Sequence, residues 1–212
     1  MQRKLLDDCF LHDKERLTHG EALDLLRARM RVIAGSARGI VLRQPRGSGT
    51  RPTSGRLRES LFAMLEAAGA DFSAALDLYA GTGALGIEAL SRGNGRCTFI
   101  DTDARAIEAI RENLRHVGFE DRATVVPARV GRWRPPEDAR YTLVTADPPY
   151  DDGQAWAAIA ATVERVLAPH AIVAVEHSAR LPSPEVLAGL SRWRERRQGD
   201  GAVALYRAAE SG

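Results

Sequence analysis

Four consecutive residues, Asp147-Pro148-Pro149-Tyr150, combine side chains that could do chemistry together. They end an apolar run, Tyr141 to Ala146, that reads as a buried strand. In an open α/β sheet, ligands bind outside the carboxyl ends of the strands. The two prolines supply no N–H, which leaves local carbonyls free to accept from another partner. Asp147 adds two acceptor oxygens, and Tyr150 adds a flat face. Such a set suits a planar group that bears an NH₂. Taken alone, the tetrapeptide also reads as a turn capped by Asp at the end of a strand.

A glycine loop upstream decides between these readings. Gly81-x-Gly83-x-x-Gly86 follows an apolar strand, Ala75 to Tyr79, and opens a helix at Ile87 to Leu90. Glycines there let the backbone approach a nucleotide closely. Asp101 falls 20 residues after Gly81, where an acid meets ribose hydroxyls. That pattern also fits a nicotinamide dinucleotide enzyme. Two features argue against one. Asp77 puts a carboxylate at the first strand's end, where a pyrophosphate would be repelled. The D-P-P-Y after the fourth strand has no part in hydride transfer. S-adenosylmethionine presents an amino group and a sulfonium instead, and it is the expected cofactor.

The elements that must position these residues alternate. Strands are expected at Ala75–Tyr79, Arg96–Ile100, Ala123–Val126, Tyr141–Ala146 and Ala171–Val175. Helices are expected after Gly86, from Asp103 to about Val117, and from Gln154 to Leu167. Alternation of this kind predicts a parallel, right-handed, doubly wound sheet. Pro182 to Leu190 reads as loop and short helix. Ser191–Arg197 and Val203–Arg207 read as a closing antiparallel pair around Gly199-Asp200-Gly201. Upstream, Arg31–Ala34 and Ile40–Leu42 read as a hairpin around Gly35–Gly39. A helix with Leu57, Leu61, Phe62 and Leu65 on one face follows, which Thr53 or Ser54 can cap. A further short helix, about Gly20 to Arg29, is expected in the first 29 residues.

Charge is unevenly spread. The net charge is only +2, yet from Arg27 to Arg58 there are nine arginines and no acid. Arg192, Arg194, Arg196 and Arg197 crowd around a single Glu195 near the end. An acid-free basic stretch is a typical phosphate-binding footprint, and a nucleic-acid partner is expected. Arg51, Arg56 and Arg58, at or near a helix start, suit a bound anion. No apolar run approaches a membrane span, and residues 1–8 carry no signal-peptide core. Cys9, Cys97 and five scattered histidines suggest neither a disulfide framework nor a metal site. The expectation is a cytoplasmic, metal-free monomer. Glu176-His177 reads as a satisfied structural pair, and Trp133, Trp156 and Trp193 read as packing.

Leu76 to Gly93, Arg51-Pro52-Thr53 through Arg58-Glu59, and Asp147 to Tyr150 together resemble the bacterial 16S ribosomal RNA guanine-N2 methyltransferase family. Met30–Gly35 and Gly199–Tyr206 resemble it too. The likeness runs from Met30 to about Arg207. It implies a Rossmann-like class I S-adenosylmethionine-dependent methyltransferase, an α/β fold with a seven-stranded, mostly parallel sheet and an N-terminal β-hairpin extension. It divides the chain into an extension (1–29), a basic hairpin arm (30–58) and a methyltransferase domain (59–212). It implies methylation of the exocyclic N2 of one guanine in the 16S rRNA of the small subunit or its assembly intermediate. Asp147, Pro148 and Tyr150 would be catalytic. Asp77, Tyr79, Gly81, Thr82, Gly83, Asp101, Thr102, Arg129 and Asp147 would hold the cofactor. Arg38, Arg43, Arg46, Arg51, Thr53, Arg56 and Arg58 would hold the RNA. Two positions depart from the family pattern: Gly55 stands where an acid is usual, and Arg129 where an amide or acid is common. The competing readings are a DNA adenine-N6 methyltransferase and a non-catalytic RNA-binding assembly factor.

Overall fold

The structure, a computed structural model, describes residues 30–44 and 55–208. It contains α1 (Gly55–Ala67), β1 (Ala74–Leu78), α2 (Ala84–Arg92), β2 (Arg96–Asp101), α3 (Ala104–Val117), β3 (Ala123–Pro127), β4 (Tyr141–Ala146), α4 (Ala155–Val163), β5 (Leu167–Ser178), β6 (Val186–Leu187), β7 (Leu190–Gln198) and β8 (Gly201–Arg207). One sheet runs in the order β3-β2-β1-β4-β5-β8-β7-β6. The first five strands in that order pair in parallel, and β8, β7 and β6 add antiparallel.

Apolar side chains on both faces of the sheet explain the layers. Leu57, Leu61, Phe62 and Leu65 of α1, with Ile87, Leu90, Ile110 and Leu114 of α2 and α3, bury one face. Ile159 and Val163 of α4 bury the other. Asp103 starts α3 by accepting the Arg105 N–H, and Gly118, at φ 75°, ends it in the left-handed conformation that glycine takes without strain. Among the described residues no helix is long and apolar enough to cross a membrane.

Three local expectations are corrected. The sheet has eight strands, not seven, because Val186–Leu187 pairs with Leu190–Ser191 across Ala188-Gly189. Both turn residues have positive φ (49° and 79°), the geometry of a tight two-residue hairpin that a loop-and-helix reading overlooks. Secondly, α4 stops at Val163, and β5 begins at Leu167 instead of Ala171. Tyr141 donates its N–H to Val166 and pairs with Leu167, and a register shift then absorbs the extra residues. Thirdly, the N-terminal hairpin has one bridge, Arg31 to Val41, and no strands. Three bonds still cross it, from the N–H groups of Val32, Gly39 and Leu42 to the carbonyls of Ile40, Val32 and Met30, while others reach the body of the protein. Ile33 and Ala34 donate to the Glu88 carboxylate at 2.7 and 2.9 Å, and Ser36 and Ala37 donate to Ser91. The body of the protein holds this segment together with its own cross-hairpin bonds.

Candidate active site

Three adjacent parallel strands deliver the site. Leu78 of β1 is in register with Ile100 of β2 and Ala146 of β4. The residues that follow, Tyr79, Asp101 and Asp147, therefore emerge at one sheet edge on strands about 4.8 Å apart. The chain leaves β1 toward β2 on one side and returns to β4 on the other, so β1 and β4 border the topological switch point. Ligands of open α/β sheets bind in the crevice there.

The loop after β1 is held open by its backbone. Tyr79, Gly81 and Gly83 all have positive φ (55°, 55° and 77°). For tyrosine this is an uncommon conformation of the kind that clusters at functional turns. Burial pushes the Tyr79 phenol up to about 12, with the Asp152 carboxylate adding to the shift and Arg129 opposing it. The Gly81 N–H donates to Asp101 Oδ2 at 2.8 Å, and the Asp103 N–H donates to Oδ1 at 2.9 Å. A carboxylate has about four lone-pair positions, so Asp101 retains capacity for two hydroxyls. A Cβ on Gly81 would meet only the Tyr79 carbonyl, at 3.9 Å. The outer side of the loop is thus open to a ligand. Gly86 serves packing instead. A Cβ there would lie 2.3 Å from the Phe99 ring, so its absence lets α2 pack on β2.

Asp77 lies beneath this loop and is 1% exposed. It accepts the Gly86 N–H at 2.9 Å and the Thr145 hydroxyl at 2.8 Å. Its bonds therefore hold the loop to β4. Burial raises its carboxyl to about 7, the two hydrogen bonds oppose that rise, and Asp147 and Asp101 add to it. Thr82 turns its hydroxyl to Met30 Sδ, and its carbonyl accepts from Asn113. Asn113 is fully buried and also exchanges two bonds with the Arg43 backbone. One side chain thus ties the arm to the glycine loop. Thr102 and Arg129 are exposed beside the site.

On the β4 side, Asp147 is half-buried and Pro148 buried, and the Asp147 N–H donates to Leu78 at 3.3 Å. Tyr150 is 42% exposed. Its hydroxyl donates to Glu176 Oε1 at 3.1 Å. A Cβ on Gly201 would fall 2.8 Å from that hydroxyl, so glycine makes room for it. This corrects the expectation for Glu176 and His177. Successive strand residues point to opposite faces. Glu176 faces Tyr150, while His177 packs against Trp156 and lies 3.8 Å from Glu195.

The basic arm also needs correcting. Arg58 is 3% exposed and donates to the Arg31 carbonyl. Burial lowers its pKa, against the pull of Glu88 and Glu176. It is part of the core and is not a surface phosphate clamp. Arg43 pairs with Glu112 at 3.2 Å while half-exposed. Arg38 and Arg56 are exposed. Arg46, Arg51 and Thr53, and the expected cap and first helix, lie outside the described residues. Sequence reasoning missed Glu88 and Asn113, and it did not pair Glu176 with Tyr150. Glu88 carried a signal, a lone acid within an otherwise apolar stretch, whereas Asn113, beside Arg111 and Glu112, carried none.

A protein-family profile described as conserved hypothetical protein 95 matches residues 30–207. Ribosomal RNA small subunit methyltransferase D of Escherichia coli K12 is 33% identical over 184 residues, covering 86% of this chain and 92% of its own. The chain belongs to the ribosomal RNA small subunit methyltransferase D family. Within the family, YlbH of Bacillus subtilis is 34% identical over 182 residues, 84% of this chain and 98% of its own. The solved structure of Escherichia coli yhhF superposes with a TM-score of 0.71 at 32% identity, covering 85% of this chain and 98% of that one. A Thermus thermophilus 16S rRNA N2 G1207 methyltransferase, solved with S-adenosylmethionine and guanosine, reaches 0.61 at 20% identity, covering 77% of this chain and 45% of that one. It shows the shared class I fold. The family's cofactor is S-adenosylmethionine. The open loop at Gly81, the remaining acceptor capacity of Asp101 and the half-buried Tyr79 fit it.

Proposed function

We propose that this protein methylates the exocyclic N2 of a guanine in 16S rRNA of the small ribosomal subunit. The observation that carries the reading is the position of Asp147-Pro148-Pro149-Tyr150 against the glycine loop, across the switch point between β1 and β4.

When bound, S-adenosylmethionine supplies a methyl group already activated on sulfur, so the protein need only place a nucleophile in line with it. Asp101 and the loop from Tyr79 to Gly83 hold the nucleoside end. Thr102 and Arg129 flank it. Asp147 and the Pro148 carbonyl each accept one N–H of the guanine amine. That turns the nitrogen lone pair, otherwise conjugated with the ring, toward the methyl carbon. The N2–carbon bond forms as the carbon–sulfur bond breaks, and one amine proton is then released. Asp147 stabilises the positive charge that develops on nitrogen. Tyr150 stacks on the extruded base, an interaction worth about 1–3 kcal/mol. Its hydroxyl is occupied by Glu176, which supports a ring-platform role over proton chemistry. Arg38, Arg43 and Arg56, with Arg46, Arg51 and Thr53, contact the RNA backbone.

The test is to incubate the protein with radiolabelled S-adenosylmethionine and small subunits from a strain lacking the activity, then identify the labelled nucleoside. N2-methylguanosine at one position is expected. Label on adenine, or on DNA in a parallel reaction, would overturn the substrate assignment.

A further inference from the structure

The four arginines of β7 are sorted by the strand's two faces. Arg192 pairs in register with Tyr206, and Arg197 with Ala202, on the α4 side of the sheet. Glu195 lies between them on that face and pairs with both. Its carboxylate is 2.7 Å from Arg197 Nε and 3.3 Å from Arg192 Nη1. Arg194 pairs with Leu205, and Arg196 with Val203 and through it Glu176, on the α1 side. Both are exposed, and neither has an ion-pair partner among the described residues. β8 contributes no acid to this face.

A bulge between Arg192 and Arg194 lets Trp193 pack onto the α1-side core. Arg194 and Arg207 then both lie over its ring, at 4.8 and 4.5 Å from the centroid. Along the strand, Arg194 and Arg196 are about 6.8 Å apart. Across it, Arg196 is two strands from Glu176, or about 10 Å, and Glu176 accepts from the exposed Tyr150.

We propose that the α1-side face of β7, presenting Arg194 and Arg196, is a second RNA-backbone contact surface that grips the strand next to the extruded guanine. The proposal rests on the RNA-methylating reading above. It gives the end of the chain, and not only the N-terminal arm, a part in holding the substrate. The sheet itself links this grip to the Tyr150 platform.

The test is equilibrium binding of the S-adenosylhomocysteine-loaded protein to a 16S rRNA fragment across a range of salt, with subunit methylation kinetics in parallel. In Arg194→Gln/Arg196→Gln, the slope of log affinity against log salt should become shallower by about 1.4–1.8 for two lost phosphate contacts. KM for the subunit should rise while cofactor affinity holds. Arg194→Lys/Arg196→Lys should keep the slope, because charge is what the RNA backbone reads. Arg165→Gln, an exposed arginine just before the amino-terminal end of β5, should match the wild type. A slope and KM in the double Gln variant equal to the wild type's would overturn the proposal. A wild-type protein that methylates no RNA would instead overturn the function on which it rests.

Discussion

The N-terminal segment and β7 both draw attention by their arginines, but the fold uses them differently. Among the described residues of the N-terminal segment two arginines are absorbed, while Arg38 and Arg56 stay exposed. Arg58 is buried against the Arg31 carbonyl, and Arg43 faces Glu112 while Asn113 grips its backbone. The segment is held from below by Glu88 and Ser91. In β7 an alternating strand sends two arginines to Glu195 and leaves two facing solvent. Clustering of like charge marks where a polyanion could bind. Which arginines are available depends on which face each occupies. Buried charges here should therefore read out in stability, and exposed ones in RNA binding.

The largest expected effect is at Glu88. Glu88→Ala leaves two backbone N–H groups unpaired and Arg92 with Glu66 as its remaining carboxylate, and should cost about 2–4 kcal/mol in chemical denaturation. A loss under about 1 kcal/mol would mean that the arm is not held from below. Asp77 sharpens the same point through pH. Its carboxyl titrates near 3.8 when unfolded and at about 7 when folded. The folded state therefore binds more protons between those values, and this group's contribution to stability falls as pH rises from about 4 to about 7. The stability of Asp77→Asn relative to the wild type should climb through that window, by about 4 kcal/mol at most, and level off above it. A difference that stays flat with pH would contradict the raised value.

Smaller effects belong to the exposed groups. Tyr150→Ala should lower kcat/KM by about 1–3 kcal/mol in transition-state terms. Tyr150→Phe, which keeps the ring and loses only the bond to Glu176, should cost less. The reverse order would assign Tyr150 to proton transfer. The smallest changes should separate arginines within the arm. Arg38→Gln and Arg56→Gln should each flatten the salt dependence of RNA binding by about 0.7–0.9. Arg58→Met should leave that slope alone and move the melting temperature instead. A flattened slope in Arg58→Met would restore it to the RNA surface.

The frame of the molecule was legible in the sequence because its signals are local. The apolar strand before Gly81, the face of Leu57, Leu61, Phe62 and Leu65, and the tetrapeptide after Ala146 each declare themselves within a few residues. What escaped depends on partners far along the chain. Glu88 meets the arm 54 and 55 residues away, and Asn113 meets Arg43 70 residues away. Glu176 meets Tyr150 only because β8 and Gly201 come in beside β5. The hairpin without strands is the same lesson in backbone form. Four of its N–H groups were claimed by Glu88 and Ser91, pairings that no local pattern reveals. Arg58 was misread because its position at a helix start resembles that of an anion clamp, and burial decides otherwise.

The central claim is that Asp147 holds and charges the amine that receives the methyl group. Its most direct test is single-turnover methyl transfer to small subunits by Asp147→Ala, with cofactor affinity measured by calorimetry on the same preparation. The transfer rate should fall about 10²–10³-fold while the cofactor still binds. A rate equal to the wild type's, with subunits methylated at guanine N2 as before, would contradict the role assigned to Asp147.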